Sequence, residues 1–403
     1  MSSKGSSRTT SFLLLTLTYL AFISLGLPDS VLGVAWPEIR QTFHLPIEAV
    51  GLITLTLTLL SAAASFASGT LVSRFSTGPV ILISGLATGS ALLLIATAPS
   101  FLVLLIAAVP LGIGAGSVDS GLNAYVAKHY SSRHMNWLHS FWGGGATLGP
   151  LVMTTALGVG VGWRGGYLWI AGIQLTVAAL LFVTLPLWKR HEKDSAQESH
   201  NEGAAFGTLS ARSTAGYISL LIYLLYVAAE AGVGLWANTL LLDSRRIPTA
   251  EAGVWVAAYF GSIMAGRLTM GFLVTKWGNR KSVIGGITLS LIGVGLFALP
   301  IVGAGIPAPT ALVGLVFMGL GFAPIFPCLM HETPRRFTEK DAPVVIGRQV
   351  GAAYLGGALL PGLTGWVMAH TSLEVLSLVV GLAILGVLFF SLYLDRLSPV
   401  PKH

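Results

Sequence analysis

Charged side chains are scarce in this sequence. Lys and Arg number 23 and Asp and Glu 16, so only 10% of 403 residues are charged, against about 25% in an ordinary soluble domain. A soluble globule of this length would not cover its surface with so few charges. Cysteine is reduced to Cys328 alone, which excludes an intramolecular disulfide and reads as a small packing residue in an apolar run. No phosphate loop of the G-x-x-x-x-G-K-S/T form is present, which disfavours an ATP-driven pump. No His, Cys, Asp and Glu cluster has metal-ligand spacing, so no cofactor is expected. No Ser-His-Asp or Cys-His order stands out, which argues against an enzyme. Basic residues are never dense enough for a phosphate-tracking groove, so the net charge of +7 does not point to nucleic acid.

What the chain has instead is apolar length. Hydrophobic residues make up 54% and the mean hydropathy is +0.78, which excludes a disordered chain. The apolar runs are continuous rather than alternating, which argues against a β-barrel. About 20 apolar residues span a bilayer as a helix. Twelve such segments are read: 11–37, 46–73, 79–98, 101–127, 136–160, 164–188, 214–242, 249–275, 281–301, 307–330, 344–369 and 372–394. Short turns, Ala98-Pro99-Ser100 and Gly303 to Pro307, divide spans three from four and nine from ten. The first run is too long for a signal-peptide core and is read as an uncleaved span. The 49 glycines suit helices that approach closely in lipid.

Basic residues orient the spans. With the N-terminus inside, eighteen Lys and Arg residues face the cytoplasm, four (Arg40, Arg164, Arg245, Arg246) face outward, and Arg267 lies within a span. Both termini are therefore expected to be cytoplasmic, in an inner membrane. The polar stretch 189–213 reads as a flexible cytoplasmic linker between an N-terminal six-helix bundle, 1–188, and a C-terminal one, 214–403.

The two halves repeat. Gly69-Thr-Leu-Val-Ser-Arg74 after span two corresponds to Gly271-Phe-Leu-Val-Thr-Lys276 after span eight. Gly112-Ile-Gly-Ala-Gly116 in span four corresponds to Gly319-Leu-Gly-Phe-Ala323 in span ten. Gly145-Ala-Thr-Leu-Gly-Pro150 in span five corresponds to Gly357-Ala-Leu-Leu-Pro361 in span eleven. Three matches in the same order at nearly one offset make an internal duplication. This plan and these turns resemble the major facilitator superfamily, whose motif after the second span has the form G-x-L-x-D-R-x-G-R-K. Ser73 and Thr275 stand where that motif has Asp. The resemblance implies an all-α membrane fold of two pseudo-symmetric six-helix bundles, alternating access around a central site, and a gating role for Arg74, Arg267, Lys276 and Arg280.

Charges in the span interiors are functional candidates by default. Once span-edge residues (Glu48, Arg164, Glu251, Lys281, Arg348) are set aside, Asp29, Asp119, Glu230 and Arg267 remain. Asp29 follows Pro28, which interrupts its helix. Asp119 and Asn123 are four apart and share a face, as are Tyr226 and Glu230, with Asn238 two turns beyond. Arg267 has two readings, snorkelling to the cytoplasm or pairing with an acid. An intramembrane carboxyl serves either to carry a proton or to accept hydrogen bonds from hydroxyls. Sequence leaves that choice open.

A closer likeness lies in Tyr226-Val-Ala-Ala-Glu230, Asp119-Ser-Gly-Leu-Asn123 and the Pro28-Asp29 segment. These resemble the fucose–galactose–glucose:proton symporter branch of the same superfamily, with Asp in place of the span-four Glu and Ala124 in place of its Pro. The resemblance implies that Asp29 and Asp119 handle substrate and proton; Glu230, as an acid within a span, joins them as a proton-coupling candidate, with a proton as the coupling ion. Asn123, His139, Trp142, Tyr226, Trp236, Asn238, Phe326 and Gln349 are candidates to hold a polyol through hydroxyl contacts and an aromatic face. Gln174 and Tyr354 are weaker ones. The leading expectation is a monomeric proton-coupled symporter of a sugar or similar neutral solute, with the lipid bilayer as its other partner. Alternatives are a proton-driven exporter of amphipathic compounds and a transporter-like sensor that does not translocate.

Overall fold

The computed structural model describes residues 2–46, 49–202, 206–302 and 309–398. Among them every regular element is a helix, and β pairing is limited to an isolated bridge of Leu209 with Phe337. The turn at Gly303 to Pro307, Glu48 and Lys402 lie outside the described residues.

The first span is broken in two, α1 (Ser2–Asp29) and α2 (Val31–Thr42). Pro28 has no N–H to give the preceding turn, so the chain yields there. Then follow α3 (Val50–Phe75), α4 (Thr77–Ala96), α5 (Phe101–His129), α6 (Ser132–Gly158) and α7 (Gly162–Glu202). In the second half, α8 (Thr214–Thr239) ends in a π turn, Leu240–Ser244, where the Arg245 N–H reaches back to Leu240 O at 3.2 Å. α9 (Thr249–Val302) carries two spans, separated at Gly278 by a φ of 77°, which a residue with a Cβ rarely adopts. The tenth span is again two pieces, α10 (Pro309–Phe322) and α11 (Ile325–Arg336), parted at Pro324. α12 (Ala342–His370) and α13 (Val375–Leu397) complete the described fold.

Among the described residues, ten helical stretches are long and apolar enough to cross a membrane by length and composition alone. One of the ten, in α9, is two spans, and α6 falls short because Asn136, His139, Ser140 and successive glycines dilute its apolar content. Each of the twelve expected spans therefore corresponds to a helix among the described residues.

The stretch read as a flexible linker behaves differently from expectation. α7 continues without interruption through Lys189 to Glu202. From Trp188 to Glu202 there is no Gly or Pro, and Glu, Lys, Gln and Ala favour helix. Further on, Leu209 pairs with the chain at Phe337.

Two compact units are formed. One comprises Met1–Tyr125, Phe141–Phe206 and Ile346–Gly351, the other Val126–Ser140, Gly207–Val345 and Ala352–His403. The division between them thus falls inside the stretch 189–213, while two short segments group across the simple halves. In each unit a glycine at the start of the repeated segment, Gly145 itself and Gly356 just before Gly357, sits against a facing helix. A Cβ at Gly145 would collide with the Ile23 carbonyl of α1, and one at Gly356 with the Leu224 carbonyl of α8. These are the fifth-against-first and eleventh-against-seventh span contacts, so the repeat read in sequence is a repeat of helix packing. On α3, Ser61 and Ser65 donate to Gly112 O and Gly116 O of α5 at 3.0 and 2.9 Å.

Candidate functional site

In the first unit the break between α1 and α2 leaves Asp29 at a helix end, and its carboxylate accepts a hydrogen bond from Trp142 Nε1 of α6 at 3.0 Å. Next to it, Ser30 Oγ donates to Ala146 O at 2.6 Å. The close approach of α6 to α1 at Gly145 is what brings the indole within reach. Asp29 remains exposed while it holds this bond. On α5, Asn123 Nδ2 donates to Asp119 Oδ1 at 2.8 Å and lies 2.9 Å from Asp119 O. The i,i+4 face read from sequence is thus a bonded pair, with Asn123 buried and Asp119 half-buried. Gln349, buried on α12, also belongs to this unit.

The second unit gathers a larger group. Arg267 of α9 donates to both carboxylate oxygens of Glu230 on α8, at 3.3 Å each. Tyr226 Oη also donates to that carboxylate and contacts Phe322 O at 3.0 Å. Tyr259 Oη donates to the Glu230 carbonyl at 2.9 Å. Of the two readings of Arg267, the structure takes the ion pair: the side chain is 8% exposed and does not reach for the cytoplasm.

Around this pair lies an aromatic cluster. The rings of His139 and Phe326 meet edge to face at 4.8 Å and 69°. Tyr223 meets Phe326 at 4.8 Å, and Tyr226 lies 6.1 Å from Phe326 and 6.0 Å from Phe322. The break between α10 and α11 explains the arrangement. Two hydroxyls reach carbonyls on either side of it, Tyr226 to Phe322 O at the end of α10 and Tyr223 to Phe326 O in α11 at 3.1 Å. His139, Tyr226, Phe326, Glu230 and Arg267 are thereby brought together. Trp236 instead donates its Nε1–H to Pro361 O at 2.8 Å, tying α8 to α12. Asn238 is half-buried on the same helix.

The gating candidates divide. Arg74 is exposed, with its guanidinium over the Phe75 ring at 5.3 Å, and Lys276 is exposed. Arg280 is ion-paired with Asp395 of α13. Asp395 also accepts from Arg336 at 2.5 Å, and Arg336 holds Glu332 at 2.8 Å and Ser398 O at 2.7 Å. The hydroxyls standing at the family's Asp positions turn back on their own helices, Ser73 to Thr70 O and Thr275 to Phe272 O.

Tyr223, Tyr259, Phe322, His331 and Arg336 were not singled out in the sequence. Spacing held a clue for two of them: Tyr223 precedes Tyr226 by one turn, and Phe322 precedes Phe326 by one turn. His331 is held by three groups, Tyr130 O at 2.9 Å, Ser132 Oγ at 2.9 Å and Asn279 Nδ2 at 3.2 Å. Nothing local in the sequence announces contacts from so far along the chain.

A family model described as Major Facilitator Superfamily matches residues 18–244 and 204–403. An uncharacterized MFS-type transporter of Yersinia pestis is 24% identical over 361 residues, covering 89% of this chain and 90% of its own. Among solved structures, that of the Escherichia coli fucose:proton symporter FucP superposes with a TM-score of 0.75 at 14% identity, over 95% of this chain and 98% of its own. The human organic anion transporter MFSD10 gives a TM-score of 0.72 at 18% identity, over 93% and 98%. The chain is a multi-pass membrane transporter of the major facilitator superfamily.

Proposed function

We propose that this transporter is a proton-coupled symporter of a sugar or similar neutral polyol, working by alternating access in an inner membrane with both termini cytoplasmic. The observation that carries the reading is the pair of Asp29 with Trp142 at the broken first span. It sets an accessible carboxylate and a half-buried indole side by side, a charge that takes a proton beside a ring that takes a C–H face. Asp119 with Asn123 supplies a second acid–amide pair in the same unit. Glu230 differs: its charge is balanced in place by Arg267. Asp29 and Asp119 therefore carry the coupling proton in this reading, and Glu230 shapes the binding surface with Tyr226, His139 and Phe326. Likeness in fold to a fucose:proton symporter supports it.

The test is uptake into proteoliposomes with an imposed inward proton gradient, using labelled hexoses and pentoses. Gradient-driven accumulation of one of them is expected. Gradient-driven loss of lipophilic compounds from loaded vesicles, with no sugar uptake, would favour the exporter reading instead.

A further inference from the structure

Behind the face of α8 that carries Glu230 lies an apolar pocket of about 310 Å³, and it takes no part in the site described above. Its floor is the stripe Leu225, Ala228, Ala229 and Gly232. That spacing of three, one and three places all four on one side of the helix. Tyr226, Glu230 and Val233 follow Leu225, Ala229 and Gly232 by one residue each, so they stand about 100° further round.

The pocket walls come from α12 and α13. Leu376, Val380 and Ala229 are 1 to 2% exposed and close its depth, whereas Leu363 and Leu382 are 56% and 60% exposed. The pocket therefore runs from buried helix packing out to the surface. At that surface it is continuous with a broad apolar face of the same two helices, Leu359, Trp366, Leu378 and Phe389 all being more than half exposed. In a multi-pass membrane protein such a face meets hydrocarbon. Thr364 is the one polar side chain of the lining, and its hydroxyl is already spent on Leu360 O at 2.8 Å. Nothing in the lining offers a polar ligand a partner. An apolar cavity of about 150 Å³ already accepts benzene, so this volume takes a considerably larger hydrocarbon. Small residues make the space: a Cβ placed on Gly232 meets nothing within 4 Å.

We infer that this pocket is a binding site for one acyl chain of a bilayer phospholipid, which enters between Leu363 and Leu382 and ends against Ala229 and Gly232. A chain seated there packs directly against the helix that holds Glu230. The occupant is a lipid tail because the mouth opens on the lipid-facing surface and the lining has only dispersion and exclusion of polar groups to offer.

The experiment uses the full chain in nanodiscs containing phosphatidylethanolamine and phosphatidylglycerol, a fraction of it carrying a diazirine near the acyl terminus. After photolysis, label is mapped by peptide mass spectrometry. Labelling of 360–367 and 376–383 is expected well above that of 180–183, an apolar stretch of α7 in which Leu180, Phe182 and Val183 are exposed. Gly232→Leu projects into the open space and favours helix, so it fills the pocket without threatening the fold. In that variant labelling of the two segments falls to the level of 180–183. Ala383→Leu, filling from the opposite wall, is expected to do the same. Uniform labelling of all exposed apolar stretches, unchanged by Gly232→Leu, would overturn the inference. So would crosslinks between two copies of the chain through 360–367, which would assign the pocket to a protein partner. Neither readout depends on transport, so failure here is separate from failure of the proposed function.

Discussion

Arg267 and Glu230 form an ion pair across α9 and α8, with Arg267 Nη2 equally distant, 3.3 Å, from both carboxylate oxygens. The pair joins two residues that the sequence marked separately, and it fixes what each can do. A guanidinium buried without its counter-charge is costly, so breaking the pair from one side destabilises by about 3 kcal/mol or more. Glu230→Gln is expected to lower the thermal midpoint in detergent clearly. Adding Arg267→Met to it recovers much of the loss. Additive losses in the double variant would show that the two side chains act independently.

Trp142 contributes an N–H to Asp29. The bond is exposed, so its loss in Trp142→Phe is expected to lower the thermal midpoint only slightly while gradient-driven uptake slows by roughly tenfold, the rate equivalent of about 1.4 kcal/mol. Initial uptake rates against solute concentration check it. Unchanged rates would remove the indole N–H from the mechanism.

Glycine at the fifth and eleventh spans is a packing requirement. Gly145→Val and Gly356→Val each drive a side chain into a carbonyl of the facing helix, and overpacking of this kind costs about 1–3 kcal/mol. Gly144→Ala is the control, because a Cβ there meets nothing within 4 Å. Monodispersity in mild detergent should collapse for the first two and stay normal for the third.

Much of this is legible in the sequence. Twelve spans follow from run length, and the duplicated glycine motifs mark helix contacts because close approach in lipid needs small residues at fixed spacing. The Asp119 and Asn123 pair is legible because i,i+4 is a local rule. Partners far apart in sequence are not. Nothing in the neighbourhood of Asp29 points to Trp142, and nothing around Glu230 points to Arg267, since those pairings depend on which helices abut. Residues 189–202 misled for a different reason: a polar, charged composition is shared by linkers and by helices extending into water, and only the absence of Gly and Pro separated them.

Arg336 serves Glu332, Asp395 and two backbone carbonyls at the end of α11. A lysine offers one point charge where the guanidinium offers a planar fork. Arg336→Lys is expected to lower the thermal midpoint nearly as much as Arg336→Ala. Full stability of the lysine variant would reduce the network to simple charge neutralisation.

The proposed topology is open to an impermeant maleimide. Cys328 is fully buried, so the unaltered protein stays unlabelled in intact cells. Ser100→Cys is expected to label from outside and Ser73→Cys only after permeabilisation, both positions being exposed. The reverse pattern would invert the orientation.

Proton coupling through Asp29 and Asp119 is tested most directly by comparing two modes of transport in the same proteoliposomes. The substrate found by the uptake screen is supplied either with a proton gradient or, without one, as labelled solute exchanging against unlabelled. Asp29→Asn and Asp119→Asn are each expected to abolish gradient-driven accumulation, with exchange persisting in at least one of them. Full gradient-driven accumulation in both variants would contradict the assignment.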